Sequence, residues 1–74
     1  MCDFVIGDGI GSKKTMLGLI DSREDCVALG QSIFPTPNRV TYSNTGGNEC
    51  FAEFGSNGNN ENKEWQTCAL ESKT

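Results

Sequence analysis

Four cysteines, Cys2, Cys26, Cys50 and Cys68, are spread along a chain of 74 residues that contains no histidine. That spacing limits the available folds more than any other feature. A chain this short buries only about 60% of the surface its unfolded form exposes, and its core seldom supplies more than about 3–5 kcal/mol unaided. A covalent staple is therefore expected. Structural zinc needs Cys-x-x-Cys pairs or nearby imidazoles to close a tetrahedral shell, and here no two cysteines are close. Disulfides are the natural reading, and they imply an oxidising compartment, so the chain is expected to be secreted or part of an ectodomain. One domain, residues 1–74, is the ceiling at this length.

Other function classes fall away on composition. Ten acidic residues stand against six basic ones, a net charge of −4, and Lys13-Lys14 is the only adjacent basic pair. Such a chain repels a phosphate backbone more than it attracts one, which disfavours nucleic acid and heparin-like partners. No apolar run approaches the roughly 20 residues needed to cross a bilayer, so no membrane insertion is expected. No secretory leader is visible either, because Met1-Cys2-Asp3 leads almost directly into a strand-like run, and any leader is expected to have been removed. The run Gly7-Asp8-Gly9-Ile10-Gly11-Ser12-Lys13-Lys14-Thr15 is similar to a phosphate-binding loop. It fails where Ser12 stands in place of the glycine before the lysine, and a flexible glycine-rich connection is the expected role.

Along the chain, Asp3-Phe4-Val5-Ile6 reads as a short strand that stops at the turn-forming Gly7 to Gly11. Thr15 to Ile20 is a second apolar run, too short for an amphipathic helix. Ser22 ahead of Arg23-Glu24-Asp25 is an N-cap followed by acids that suit the positive helix end. Within that helix Cys26, Leu29, Gly30 and Ile33 fall on one face, which turns Cys26 inward. Pro35 and Pro37 should end it near Ser32 to Phe34. Arg39 to Ser43 and Glu49 to Phe54 are strand-like, and Asn44-Thr45-Gly46-Gly47-Asn48 between them tolerates positive φ, the strongest hairpin signal present. Alternation puts Cys50, Ala52 and Phe54 on one face of the second strand. Gly55 to Lys63 is polar throughout and reads as a mobile surface loop. Trp65 to Leu70 resumes strand character, and Glu71 to Thr74 should fray.

Four cysteines allow three connectivities, which counting alone cannot separate. The element assignments narrow them. Cys26 inside a helix and Cys50 inside a strand can approach to the Cα separation of about 5.5–6 Å that a disulfide requires. Cys2 and Cys68 then pair by elimination, tying the first strand to the last.

The pattern resembles the PAN/apple module family. The likeness rests on a start cysteine (Cys2), Ser22-Arg23-Glu24-Asp25-Cys26 opening a helix, Val40-Thr41-Tyr42, Glu49-Cys50-Phe51 and a closing Cys68, and covers most of the chain. Many members carry two further cysteines that pair together, one a helical turn after the first helix cysteine and one just before the Thr-Tyr strand. This chain has Gly30 and approximately Pro37 there. Their joint absence removes one whole bridge and leaves no orphan thiol, and the remaining family pairs would be Cys2 to Cys68 and Cys26 to Cys50. The resemblance implies an α+β fold, a small antiparallel sheet packed on one helix and stapled by disulfides. It also implies an extracellular module that contacts protein or carbohydrate.

No enzyme chemistry is expected. A cysteine nucleophile needs a thiolate and usually a nearby base, whereas this chain has no histidine and its thiols should be oxidised. Scattered acids without a deep cleft are usually a solvated face. Asp8, Glu61 and amide oxygens are hard enough for calcium, but no Asp-x-Asp spacing appears, and no metal or cofactor is assigned. The most suggestive cluster is Asn57, Asn59, Asn60, Glu61 and Asn62 beside Trp65, because amides offer fixed donors and acceptors and an indole face can stack on a sugar ring. Tyr42 joins it as a candidate, although core packing is the favoured role for Trp65 in a domain this small, and Tyr42 and Phe51 carry the same ambiguity. The expectation is an extracellular interaction or adhesion module for a protein or glycan. A secreted inhibitor or toxin-like peptide, or a structural unit of a larger matrix protein, is the alternative.

Overall fold

The computed structural model describes residues 2–11 and 13–70. Met1, Ser12 of the glycine-rich run and the expected fraying end at 71–74 lie outside them. In chain order the elements are β1 (Val5–Ile6), β2 (Gly9–Ile10), β3 (Lys13–Leu19), α1 (Arg23–Ser32), β4 (Arg39–Ser43), β5 (Glu49–Phe54), β6 (Gly58–Asn59) and β7 (Trp65–Ala69). Five strands form an antiparallel sheet in the order β1-β7-β4-β5-β3. The helix lies against β4 and β5 on one face, so the fold is α+β and disulfide-stapled.

The helix begins where its cap dictates. Ser22 is extended and its Oγ accepts from the Asp25 amide at 3.1 Å, while Glu24 and Asp25 occupy the first turn. It stops at Ser32, where Ile33 returns to extended backbone two residues ahead of Pro35. Cys26 and Gly30 are its buried residues, whereas Leu29 and Ile33 are only half-buried. Gly30 is there for close approach: a Cβ at this position would sit 2.6 Å from Val40 Cγ1. The glycine lets the helix settle onto β4.

The expected hairpin forms in register, with Arg39 opposite Glu53 and Tyr42 opposite Cys50. Its loop uses positive φ at Gly46 and Asn48. β3 pairs with the far edge of β5 and shifts register between Met16 and Gly18, a bulge at which Gly18 takes φ 128°. The core is Cys26, Val40, Tyr42, Cys50 and Cys68, with Cys2, Phe4, Leu17, Ile20, Val27 and Leu70 packed around it. Two bridges fasten it, Cys2–Cys68 with Cα atoms 5.8 Å apart and Cys26–Cys50 with Cα atoms 5.7 Å apart. Their nested loops are consistent with an extracellular setting. Among the described residues, no helix is long and apolar enough to cross a membrane.

Two expectations require correction. The turn at Gly7 to Gly11 contains β2, and the supposed mobile loop at Gly55 to Lys63 contains β6. The pair forms an antiparallel ribbon with Gly9 opposite Asn59 and Ile10 opposite Gly58. Further bonds from Asn57 N to Ile10 O (3.1 Å) and from Asn60 N to Asp8 O (2.9 Å) extend it. Apolar patterning cannot report this ribbon, because backbone and amide hydrogen bonds hold it. The first strand is also shorter than expected, pairing with β7 only at Val5 and Ile6.

Candidate functional site

Directly opposite residues of adjacent strands share a face. The register therefore divides the sheet into a helix side, with Val40, Tyr42, Cys50, Ala52, Gln66 and Cys68, and a far side, with Thr41, Phe51, Glu53, Trp65 and Thr67. The far side is not a plain solvated surface, because Thr41, Glu53 and Thr67 are all 0% exposed. Thr41 Oγ1 donates to Glu53 Oε2 at 2.7 Å and lies 2.9 Å from Thr67 Oγ1, and Thr67 in turn donates to the Gly7 carbonyl at 2.7 Å. Lys14 Nζ pairs with the Asp8 carboxylate and stands 3.6 Å from Glu53 Oε2. A carboxylate is tolerated away from water only when hydrogen bonds and charge surround it in this way.

Gly9 of the ribbon closes this cluster. A Cβ there would meet Glu53 Cδ at 3.0 Å and Ser56 Oγ at 3.1 Å, so only a glycine lies flat over the carboxylate. Sealed beneath that backbone, the Glu53 carboxylate is held by Thr41 and faces Lys14. Among the described residues no group of three or more His, Cys, Asp or Glu is placed to hold a metal ion.

Beside the ribbon the far side is open and aromatic. Phe51 and Trp65 are both half-buried and meet edge to face, ring centroids 5.5 Å apart. Met16, opposite Phe51 in the β3–β5 register, is 50% exposed, and Lys14 Nζ lies 5.5 Å from the Phe51 ring centroid. The result is a ridge of Met16, Phe51 and Trp65 with one cation on its flank.

The side-chain oxygens of three of the amides expected to greet a ligand are engaged inside the chain. Asn59 Oδ1 accepts from Arg39 at 3.0 Å. Asn60 Oδ1 accepts from the Asp8 and Asn62 amides at 2.8 and 2.9 Å, and Asn62 Oδ1 from the Glu64 amide at 3.0 Å. Asn57 packs its side chain against Gly11, where an added Cβ would come within 2.6 Å of it. Glu61 remains exposed. Tyr42 is buried on the helix side, its hydroxyl donating to the Ile20 carbonyl and lying 3.2 Å from Asn48 Oδ1. Burial raises its pKa above the ordinary 10.0, helped by the carboxylates of Asp21, Glu24 and Asp25. Tyr42 and Trp65 thus point to opposite faces, and the structure does not unite them in one site.

Two features escaped the sequence reading. Phe34 is 96% exposed at the tip of the segment joining α1 to β4. That segment is braced by buried Pro37 and by Thr36 Oγ1 donating to the Ile33 carbonyl at 3.1 Å. The only signal in the sequence was an aromatic placed just beyond the helical stripe and before a proline. The second feature is a cleft of about 490 Å³ at the start of α1, lined by Cys2, Asp3, Phe4, Arg23, Glu24 and Val27. Comparison with protein-family models, with curated proteins and with solved structures returns no match for this chain.

Proposed function

We propose that this chain is a PAN/apple-like extracellular interaction or adhesion module whose contact surface is the aromatic ridge on the sheet face away from the helix. The carrying observation is the half-buried Phe51–Trp65 pair, with Met16 half-exposed beside it and Lys14 over the Phe51 ring. A small chain with few aromatics gains most by burying them, so a ridge left half in water is better matched to a partner surface than to solvent. The amide oxygens of Asn59, Asn60 and Asn62 stiffen the neighbouring segment, so they present a preformed edge at little entropic cost. The ligand is a protein or a glycan. The disulfide frame supports a secreted setting.

The test is a glycan array and a pull-down from extracellular fluid, each run with wild type and with Trp65→Ala. Binding by the wild type that falls at least about tenfold in the variant supports the reading, as expected for an aromatic anchor. Silence in both assays, or equal binding by the variant, removes the ridge from consideration.

A second reading has one observation of its own. Phe34, exposed on a braced loop, is suited to entering a pocket on an enzyme or channel, as an inhibitor or toxin-like peptide does. Protease and channel panels with wild type and Phe34→Ala decide between the two surfaces.

A further inference from the structure

We propose that the Cys2–Cys68 bridge is a thiol-exchange site, opened by small uncharged or cationic thiols that enter through the cleft at the start of α1, while Cys26–Cys50 stays closed. This does not rest on the binding surface above. The two bridges have alike spacing between Cα atoms but unlike surroundings. Cys26 and Cys50 are both 0% exposed between helix and sheet. Cys68 is 2% exposed, yet its partner Cys2 is half-buried and forms part of the cleft wall. Exchange requires a thiolate to reach a sulfur, so accessibility decides which bridge reacts. Of the four cysteines, Cys2 alone is not fully buried, so attack is directed there.

The cleft also selects its reagent. Phe4 and Val27 supply apolar walls, and Arg23 sits over the Phe4 ring with Cζ 5.2 Å from the centroid. Arg23 is already committed, its Nε to Glu24 Oε2 at 3.2 Å and its Nη1 to Gln66 Oε1 at 2.9 Å. With that pair neutralised, Asp3 leaves the side chains of the cleft net negative, which repels anionic thiols and favours aminothiols.

The chemistry balances without further reagents. A thiolate RS⁻ attacks Cys2 Sγ, the Cys2–Cys68 bond breaks, and the electron pair leaves on Cys68 Sγ, which takes a proton from water. A second RS⁻ attacks the R sulfur of the mixed disulfide, forming RSSR and releasing the Cys2 thiolate. Two thiols thus deliver two electrons to the bridge. The freed N-terminal strap is then held by the Val5 and Ile6 pairing, the Gly7 N to Trp65 O bond of 2.8 Å and the Thr67 bond to the Gly7 carbonyl. Its departure would bare the outer edge of β7.

The oxidised protein is incubated with cysteamine, 2-mercaptoethanol or 2-mercaptoethanesulfonate at matched thiolate concentration, then alkylated and peptide-mapped. Cys2 and Cys68 are expected to label at thiol concentrations about tenfold below those that open Cys26–Cys50, with the first adduct on Cys2. Cysteamine should lead 2-mercaptoethanesulfonate, the gap should narrow in high salt, and Glu24→Lys should reverse the order. Simultaneous opening of both bridges, earlier opening of Cys26–Cys50, or an anionic thiol leading on wild type overturns the proposal.

Discussion

The two faces of the sheet are closed by opposite chemistries. On the helix side, sulfur and aliphatic groups from Cys26, Val40, Cys50 and Cys68 fill the space under α1, and Gly30 brings the helix down onto Val40. On the far side, a carboxylate lies under the Gly9 backbone and bonds to the first of two linked, buried threonines, with Lys14 and Asp8 at the rim. Apolar packing tolerates volume-conserving exchange. A polar cluster does not, because each group left without a partner keeps its full desolvation cost. A chain that is only 35% hydrophobic thus covers both sides of β4 with one apolar face and one hydrogen-bonded face.

The largest expected effect strikes the helix side. Replacing Cys26 and Cys50 together by alanine removes a bridge worth roughly 3–4.5 kcal/mol in the chain-entropy model. That is comparable to all the core supplies, so the variant and the fully reduced protein should be unfolded by circular dichroism at room temperature. A reduced form with an unchanged thermal midpoint breaks the comparison at its root. Next comes the ribbon side. Thr41→Val strips Glu53 of its short hydrogen bond, at a cost of about 1–3 kcal/mol in chemical denaturation. Thr41→Val combined with Glu53→Leu should recover part of that loss, since removing both polar partners is milder than orphaning one. If the double variant instead loses the sum of the two single effects, Thr41 and Glu53 do not act as a unit.

The same division explains what could be read in advance. Helix start, the hairpin itself and the inward turn of Cys26 and Cys50 follow from local rules: Ser22 ahead of acidic residues, Asn and Gly between alternating strands, and a 3.6-residue stripe. The β2–β6 ribbon follows none of them. Its residues Gly9, Ile10, Gly58 and Asn59 carry almost no apolar signal, and their pairing depends on contacts some fifty positions apart, such as Asn60 N to Asp8 O. Burial of Glu53 was illegible for the same reason, because its shelter is the Gly9 backbone. The asparagine cluster invited a ligand reading, but its side-chain oxygens turn out to organise the segment itself. Phe34 had the reverse history, being an unremarked residue beyond the helix that the fold leaves in solvent.

A smaller effect sharpens the helix side. Ser22→Ala removes the acceptor for the Asp25 amide and should cost about 1 kcal/mol. Because α1 carries one half of the inner bridge, this loss should reappear as a larger acceleration of Cys26–Cys50 reduction than of Cys2–Cys68 reduction, read by the same alkylation map. Equal acceleration at both bridges would mean that the cap supports the whole fold and not the helix alone.

The subtlest test concerns Tyr42, the only tyrosine in the chain. Burial opposes its ionised form, and Asp21, Glu24 and Asp25 add repulsion, so its folded pKa lies above the unfolded 10.0. Well below pH 10.0 the phenol is neutral in both states and contributes no slope. As pH rises past that value the unfolded chain releases the proton while the folded chain retains it, so the unfolded state binds fewer protons and stability declines until the folded group also ionises. Tyr42→Phe should lose about 0.5–1.5 kcal/mol at neutral pH through the missing bond to the Ile20 carbonyl. It should also decline less steeply in alkali than wild type. Tyrosinate absorbance in the wild type reads the same group directly, with a midpoint above 10.0 that returns to the ordinary value in denaturant. Matching alkaline slopes in the two proteins would rule Tyr42 out as the alkali-sensitive group of the helix face.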